Sequence, residues 1–174
     1  MARDLLGRTL ASDIGGERVS GIIVETEAYL GVHDAASHAW RRRRHQLYRG
    51  VYAPAGTWYV YRSYGIHWCL NLTVPTNDDG AAVLIRAVTP GAGIDIMRLR
   101  RGQVADKHLT SGPGKLGQAF AITGEHDGML ATDHSLLRLL SPEGKPPRLS
   151  IEVTPRIGIT RAADWPLRFV VRKA

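Results

Sequence analysis

Along most of this chain, apolar and polar positions alternate with a period of two, and only short stretches show helical spacing. Val19–Tyr29 begins as an apolar β-branched run and turns acidic at Glu25, which predicts a strand. Thr57–Val74 is the richest segment. Trp58, Tyr59, Val60 and Tyr61 are strong strand formers, and Ile66, Trp68, Leu70, Leu72 and Val74 alternate with His67, Cys69, Asn71 and Thr73. Ser63-Tyr64-Gly65 separates the two runs, so the segment reads as a β-hairpin with Tyr64 at its tip. Ala81–Val88 reads as a buried strand that contains Arg86, and Leu136–Leu140, Leu149–Val153 and Leu167–Val171 as further strands. Helical spacing predicts Ile94–Arg101, with Ile94, Met97 and Leu99 toward the core, and a short helix over Leu116–Ile122. Asp4–Leu10 reads either as a short helix ending near Gly7 or as the lead into a strand. No repeat or linker divides residues 1–174. The expectation is a single α+β domain: a curved, mostly antiparallel β-sheet with a protruding β-hairpin and surrounding short helices.

Charge changes this picture more than hydropathy does. Apolar residues make up 44% and charged residues 22% of the 174, ordinary values for a globular protein, but 23 Lys+Arg face 16 Asp+Glu and the net charge is +7. Nineteen of the basic residues are arginines, whose planar fork suits phosphates and base edges. A polyanionic partner is expected, nucleic acid before an acidic membrane surface. Cys69 is the single cysteine, which excludes a disulfide framework and a thiolate zinc cluster. No apolar run approaches a membrane span, and the N-terminus lacks a signal-peptide pattern. The expected location is therefore intracellular: the cytoplasm and nucleoid of a bacterium, or the nucleus of a eukaryote.

On a regular strand Glu25, Glu27 and Tyr29 lie in a row on one face, roughly 6.5–7 Å apart. Two carboxylates beside an aromatic suit acid/base chemistry, and equally a solvated edge paired with arginines. Arg86, inside an apolar strand, needs an acidic partner, and Glu25 or Glu27 can supply it. Tyr59 and Tyr61 share a face. If their strand adjoins that of Tyr29, the tyrosines form a stacking slot for a planar base, most favourably a cationic one. His33, Asp34 and His38 lack a recognised metal-ligand spacing, so no metal is expected, and His38 reads better as a hydrogen-bonding group in a pocket. Ser63 and Ser111 lack a nucleophile elbow. Ser111-Gly-Pro-Gly-Lys115 is a glycine-rich helix start able to meet an anion, with Lys115 as a phosphate contact or a packing residue. Arg41, Arg42, Arg43 and Arg44 form a basic run that is either a solvated loop or a clamp on a phosphate backbone.

Several of these segments, taken together, resemble the alkyladenine (3-methyladenine) DNA glycosylase family. They are Val24-Glu-Thr-Glu-Ala-Tyr-Leu-Gly31, Ser37-His38, Tyr59-Val-Tyr61, Tyr64-Gly65, Trp68-Cys-Leu-Asn71, Ala82-Val-Leu-Ile-Arg86-Ala, Ser111-Gly-Pro-Gly-Lys-Leu116 and Pro166-Leu-Arg-Phe169. The resemblance runs in order along nearly the whole chain. It implies that Glu27 is the general base activating a water, with Arg86 supporting it. It also implies that Tyr29, His38, Tyr61 and Asn71 form the pocket for a flipped base, and that Tyr64 is the side chain inserted into the duplex. The implied activity is monofunctional hydrolysis of the N-glycosidic bond of damaged purines in double-stranded DNA. It would leave an abasic site, with no metal or organic cofactor, and the enzyme would act as a monomer.

One region departs from the family. Where members carry a Thr-Pro-Arg-Asn segment and then a Met-Phe pair, this chain has Arg41–Arg44 and His45-Gln-Leu-Tyr-Arg-Gly-Val-Tyr52. The contacts of this loop with the DNA backbone, and the side chain that assists Tyr64, are therefore not carried over. Two other classes stand beside the glycosylase reading. One is a carbohydrate hydrolase using Glu25 and Glu27 as a carboxylate pair, which would give the basic surface and the tip tyrosine no purpose. The other is a non-catalytic nucleic-acid-binding module in which Glu27 merely balances Arg86.

Overall fold

A computed structural model describes residues 1–42, 45–76, 78–102, 104–132, 134–141 and 148–172. Its eight strands are β1 (Thr9–Ser12), β2 (Val19–Tyr29), β3 (Trp58–Ser63), β4 (His67–Thr73), β5 (Ala82–Pro90), β6 (Leu137–Leu140), β7 (Ile151–Thr154) and β8 (Arg168–Val171). All belong to one sheet in the order β3-β4-β5-β2-β1-β6, and every pairing is antiparallel. The long β2 is shared on one edge: β1 pairs with its first half at Val19–Ile22, and β8, backed by β7, with Glu25–Glu27. Helices α1 (Ile94–Arg101) and α2 (Pro113–Ala119) pack with short 3-10 turns around this sheet. The α+β expectation holds.

The sheet is covered on both faces, and the period-two pattern sorts the residues between them. One face carries the main core, where Ile23, Trp58, Val60, Leu70, Leu72, Val83 and Ile85 meet Met97, Leu116 and Phe120 from the helical side. The other face carries a smaller cluster of Val32, Ala39, Val51, Tyr59 and Ala82, with Tyr48, Tyr52 and Tyr61 packed against it. A single rung of paired residues crosses this second face: Tyr59 opposite Asn71, Asn71 opposite Leu84, Leu84 opposite Glu27, and Glu27 opposite Arg168. Paired residues on neighbouring strands point the same way. The rung therefore gathers side chains from five separate stretches of sequence.

Several sequence expectations shift. Residues 2–7 form turns, and the following strand is β1, so Asp4–Leu10 leads into a strand. The second helix starts at Pro113 and ends at Ala119, three residues earlier than the apolar spacing of Leu116–Ile122 predicts. Proline at the first helical turn lacks only an N–H that has no helical partner there, so the helix begins on it. A side chain at Gly117 would stand 2.4 Å from the Trp68 carbonyl oxygen, so this glycine lets α2 lie directly on β4. In α1, Met97 is buried and Ile94 packs beside it, but Leu99 is 73% exposed and not part of the core. Two residues past Met97 is the far side of a helix. Arg100, three residues past Met97, folds back instead to donate to the Ala119 and Ile14 carbonyls.

Candidate active site

The acidic row on β2 depends on a paired irregularity. Ile23 pairs with Val88 and Glu25 with Ala87, so Val24 is an extra residue on β2; Thr26 then pairs with Ile85, so Arg86 is an extra residue on β5. Regular alternation would continue the core side of Ile23 through Glu25 and Glu27. The bulge hands the core side to Thr26 and Ala28 and turns the glutamates to the opposite face. Arg86 is turned with them. Its Nε donates to Glu25 Oε1 at 2.8 Å and its Nη1 meets Glu27 Oε1 at 3.2 Å. Arg168 Nε adds a bond of 2.7 Å to the same Glu25 oxygen. Glu25 is thus held by two arginines.

Glu27 is fully buried, and its carboxylate is held from three sides. Oε1 accepts the Ile157 backbone N–H at 2.8 Å besides the Arg86 guanidinium, and Oε2 accepts the Tyr29 hydroxyl at 2.9 Å. Burial, and then the Glu27 charge and hydrogen bond, push the Tyr29 phenol far above its ordinary range, so it stays a donor. For Arg86, burial disfavours the cation, but the charges of Glu27 and Glu25 outweigh burial and raise its pKa.

Tyr29 also lines a cavity of about 350 Å³ together with His38, Tyr48, Tyr59, Tyr61 and Asn71. The strands of Tyr29 and Tyr61 do not adjoin, contrary to the condition set for the slot, because β5 and β4 lie between β2 and β3. The tyrosines nevertheless line one cavity, Tyr29 two residues past Glu27 on β2 and Tyr61 two residues past Tyr59 on β3. His38 contacts the Tyr59 hydroxyl through Nδ1 at 2.7 Å, stacks on Tyr48 with centroids 3.9 Å apart, and meets the Tyr61 ring edge-on at 4.5 Å. Burial lowers the His38 pKa to about 4, so the ring is neutral at pH 7, with one nitrogen donating and the other accepting. Asn71 is buried, and its Nδ2 donates to the Tyr59 and Cys69 carbonyls.

Tyr64 lines the mouth of this cavity and is 86% exposed. Its φ of 50° and that of Gly65, 67°, are the paired left-handed values of a tight hairpin turn closed by Ile66 N–H to Ser63 O at 3.0 Å. Holding a bulky residue left-handed strains the backbone, and here it points an aromatic ring into solvent. Lys115, on the first turn of α2, lies apart from the cavity, in a second depression on the flank of Tyr64 that also includes His67 and Arg101. Arg41 and Arg42 are exposed. Arg41 lies over the Trp40 ring, and Arg42 reaches Asp79 at 3.4 Å. Arg43 and Arg44 lie outside the described residues.

Sequence reasoning missed Arg156, Ile157, Arg168 and Tyr48 as members of this neighbourhood. It weighed Asp34 as a metal ligand, whereas the carboxylate is taken up by the Arg156 guanidinium at 2.5 and 2.9 Å. Among the described residues no cluster of His, Cys, Asp and Glu has the arrangement of a metal site. The signal for Arg156 was faint: an arginine between Pro155 and an apolar residue, with its partner 122 positions away.

A buried carboxylate tied to a tyrosine-lined cavity, beside an exposed aromatic on a basic protein, agrees with what sequence comparison finds. The family profile of methylpurine-DNA glycosylase (MPG) matches residues 1–174. This chain belongs to the methylpurine-DNA glycosylase family. It is similar to the "Putative 3-methyladenine DNA glycosylase" of Agrobacterium fabrum, with 46% identity over 168 residues, 97% of this chain and 82% of the relative. Identically named proteins of Methanoculleus marisnigri and Chlamydia abortus share 45% and 42%, covering 99% and 98% of this chain and 88% and 90% of those proteins. The chain is thus a DNA glycosylase of the 3-methyladenine type. Among the described residues no helix is long and apolar enough to cross a membrane.

Proposed function

We propose that this glycosylase removes damaged purines from double-stranded DNA by hydrolysis, with Glu27 as the general base. The substrates are of the 3-methyladenine, 7-methylguanine, hypoxanthine and ethenoadenine class. The observation that carries the reading is the Glu27 carboxylate, buried behind the aromatic cavity and linked to its wall through the Tyr29 hydroxyl. The target nucleotide leaves the stack at a cost of a few kcal/mol, lowest at weakened pairs. Tyr64 fills the gap it leaves. In the cavity the base stacks on Tyr29, His38 and Tyr61. The neutral His38 ring accepts the Tyr59 hydroxyl at Nδ1 and offers Nε2–H to the base. Asn71, fixed by its two carbonyl partners, excludes the exocyclic amine of guanine.

The chemical step needs one proton acceptor and one stabiliser of positive charge. Water bonds to C1′ as the C1′–N bond breaks, its proton passes to Glu27, and the bond electrons leave with the purine. A cationic alkylpurine departs as a neutral base, and a neutral lesion takes up a proton from solvent as it leaves. The Glu27 carboxylate stabilises the oxocarbenium-like sugar, while Arg86 orients the carboxylate and the water. The product is free base and an abasic site. No lysine attacks the sugar, so no strand-cleaving lyase step follows, and no metal or organic cofactor is required. The protein works as a monomer in the compartment that holds the DNA.

Glu25, held by both Arg86 and Arg168, argues against the carbohydrate-hydrolase reading, which needs two working carboxylates. The test is release of free base from a duplex carrying one hypoxanthine or one alkylated purine. Wild type should release the base and leave an abasic site, and Glu27→Gln should lose at least a hundredfold in single-turnover rate. Equal rates for the two proteins, or no release from any such duplex, would overturn the proposal.

A further inference from the structure

The reaction above leaves a fully buried ion pair without a task. Arg156 and Asp34 side chains are both 0% exposed. The guanidinium fork meets both carboxylate oxygens, and its Nη1 and Nη2 also donate to the carbonyls of Ala28 at 3.0 Å and Ala162 at 3.4 Å. Asp34 in turn accepts the backbone N–H groups of Leu30 and Ala36 at 3.1 and 3.0 Å. Burial favours its protonated form, but the bonds from Arg156, Ala36 and Leu30 outweigh burial and lower its pKa.

This pair joins three parts of the site. Asp34 organises the turn that leads to Ser37 and His38 on the cavity wall. Arg156 anchors the segment whose next residue, Ile157, gives its N–H to Glu27 and whose Gly158 and Ile159 also line the cavity. Its guanidinium carbon lies 4.6 Å from the centroid of the Tyr29 ring, whose hydroxyl is the other neutral donor to Glu27. Stability alone is a poor reason for the arrangement. A buried ion pair is often matched or exceeded in stability by apolar residues of similar volume, and here Arg156 Nε remains without a hydrogen-bond partner.

We infer that Asp34 and Arg156 are positioning residues for the glycosylase reaction, holding Tyr29 and the Ile157 N–H against Glu27 and both wall segments around the base. The inference rests on Glu27 being the base. Charged and titratable groups also face Glu27 from β5 (Arg86), β2 (Glu25 and Tyr29), β3 (Tyr61) and, through Glu25, β8 (Arg168). Of these, Tyr29 is the one that Arg156 touches. Loosening the pair therefore weakens two donors that favour the ionised carboxylate and leaves the Arg86 contact in place.

Arg156→Lys and the uncharged double variant Asp34→Asn with Arg156→Gln test this on the full chain, with a hypoxanthine-containing duplex as probe. The expected result is a cooperative fold with lesion-duplex Kd within about threefold of wild type. The single-turnover rate should fall roughly ten- to a hundredfold, the scale of a misplaced catalytic group. The acid limb of the pH–rate profile should also move to higher pH in both variants. Added to Tyr29→Phe, the Arg156→Lys change should cost less than it does alone, because the two act on one carboxylate. Wild-type rates and pH profile would overturn the inference, as would a loss with no change in the profile. Variants that do not fold would overturn it too, since the pair would then serve the fold. The Glu27→Gln control separates the two proposals: if it is inactive while Arg156→Lys matches wild type, only the positioning role fails.

Discussion

Tyr29 and Glu27, two residues apart on β2, are joined by a hydrogen bond of 2.9 Å from the phenol to Oε2. The same ring lines the base cavity, so one side chain connects the place where a base would stack with the place where a proton would go. The two roles separate in Tyr29→Phe, which keeps the ring and removes the donor. A hydrogen bond to a charged group contributes about 1.5–3 kcal/mol, so the single-turnover rate should fall roughly ten- to a hundredfold. Lesion-duplex affinity should change little. A rate equal to wild type would show that the phenol does not support the carboxylate in the reaction.

Tyr64 gives the opposite kind of prediction, since its ring touches the solvent and not the carboxylate. At 86% exposure the side chain contributes little to the fold. Tyr64→Ala should leave the melting temperature within a few degrees of wild type and weaken lesion-duplex binding. Loss of one aromatic stack amounts to about 1–3 kcal/mol, or roughly five- to a hundredfold in Kd. Unchanged affinity and rate would remove the wedge role.

Binding as a whole should depend steeply on salt, because Lys and Arg exceed Asp and Glu by 23 to 16 and a phosphate-dominated interface releases counterions. Kd measured between 50 and 200 mM salt should rise by at least about tenfold. Arg41→Ala should lower the slope of log Kd against log salt by about one if that exposed guanidinium meets a phosphate. A flat response of wild type would contradict the interface. An unchanged slope for the variant would leave the guanidinium to its contact with Trp40.

What the sequence made legible was period-two order. Alternation over Trp58–Thr73 predicts which residues face the core and which face Asn71, and Val19–Tyr29 and Ile94–Arg101 are found at their expected ends. The acidic row was legible as a row, but the reason it avoids the core was not. Its parity change at Val24 requires a matching extra residue at Arg86, and strand register is a property of pairs. The pairing of Asp34 with Arg156, 122 positions apart, was not legible either, because only the fold joins them. Leu99 shows the limit of counting apolar residues. Position 99 lies opposite Met97 on an eight-residue helix, where no neighbour covers it.

His38 provides a prediction with a definite sign in pH. Its folded pKa is lowered by burial to about 4 from an ordinary 6.5, and the ring lies between Tyr48, Tyr59 and Tyr61. Above the unfolded value neither state holds the proton and the residue adds no pH dependence. Between about 6.5 and 4 the unfolded chain takes up a proton that the folded one resists, so stability falls as pH falls. Below the folded value both states are protonated and the loss is complete, at roughly 3–3.5 kcal/mol. Other groups add their own pH dependence, so the comparison has to be a difference. Chemical denaturation of wild type and His38→Gln, followed from pH 7.5 to 4, should show wild type losing more stability than the variant by that amount. The divergence should begin near pH 6.5. Two curves that stay parallel across the range would mean that the ring accepts a proton in the folded pocket as readily as in the unfolded chain, and that burial does not hold it neutral.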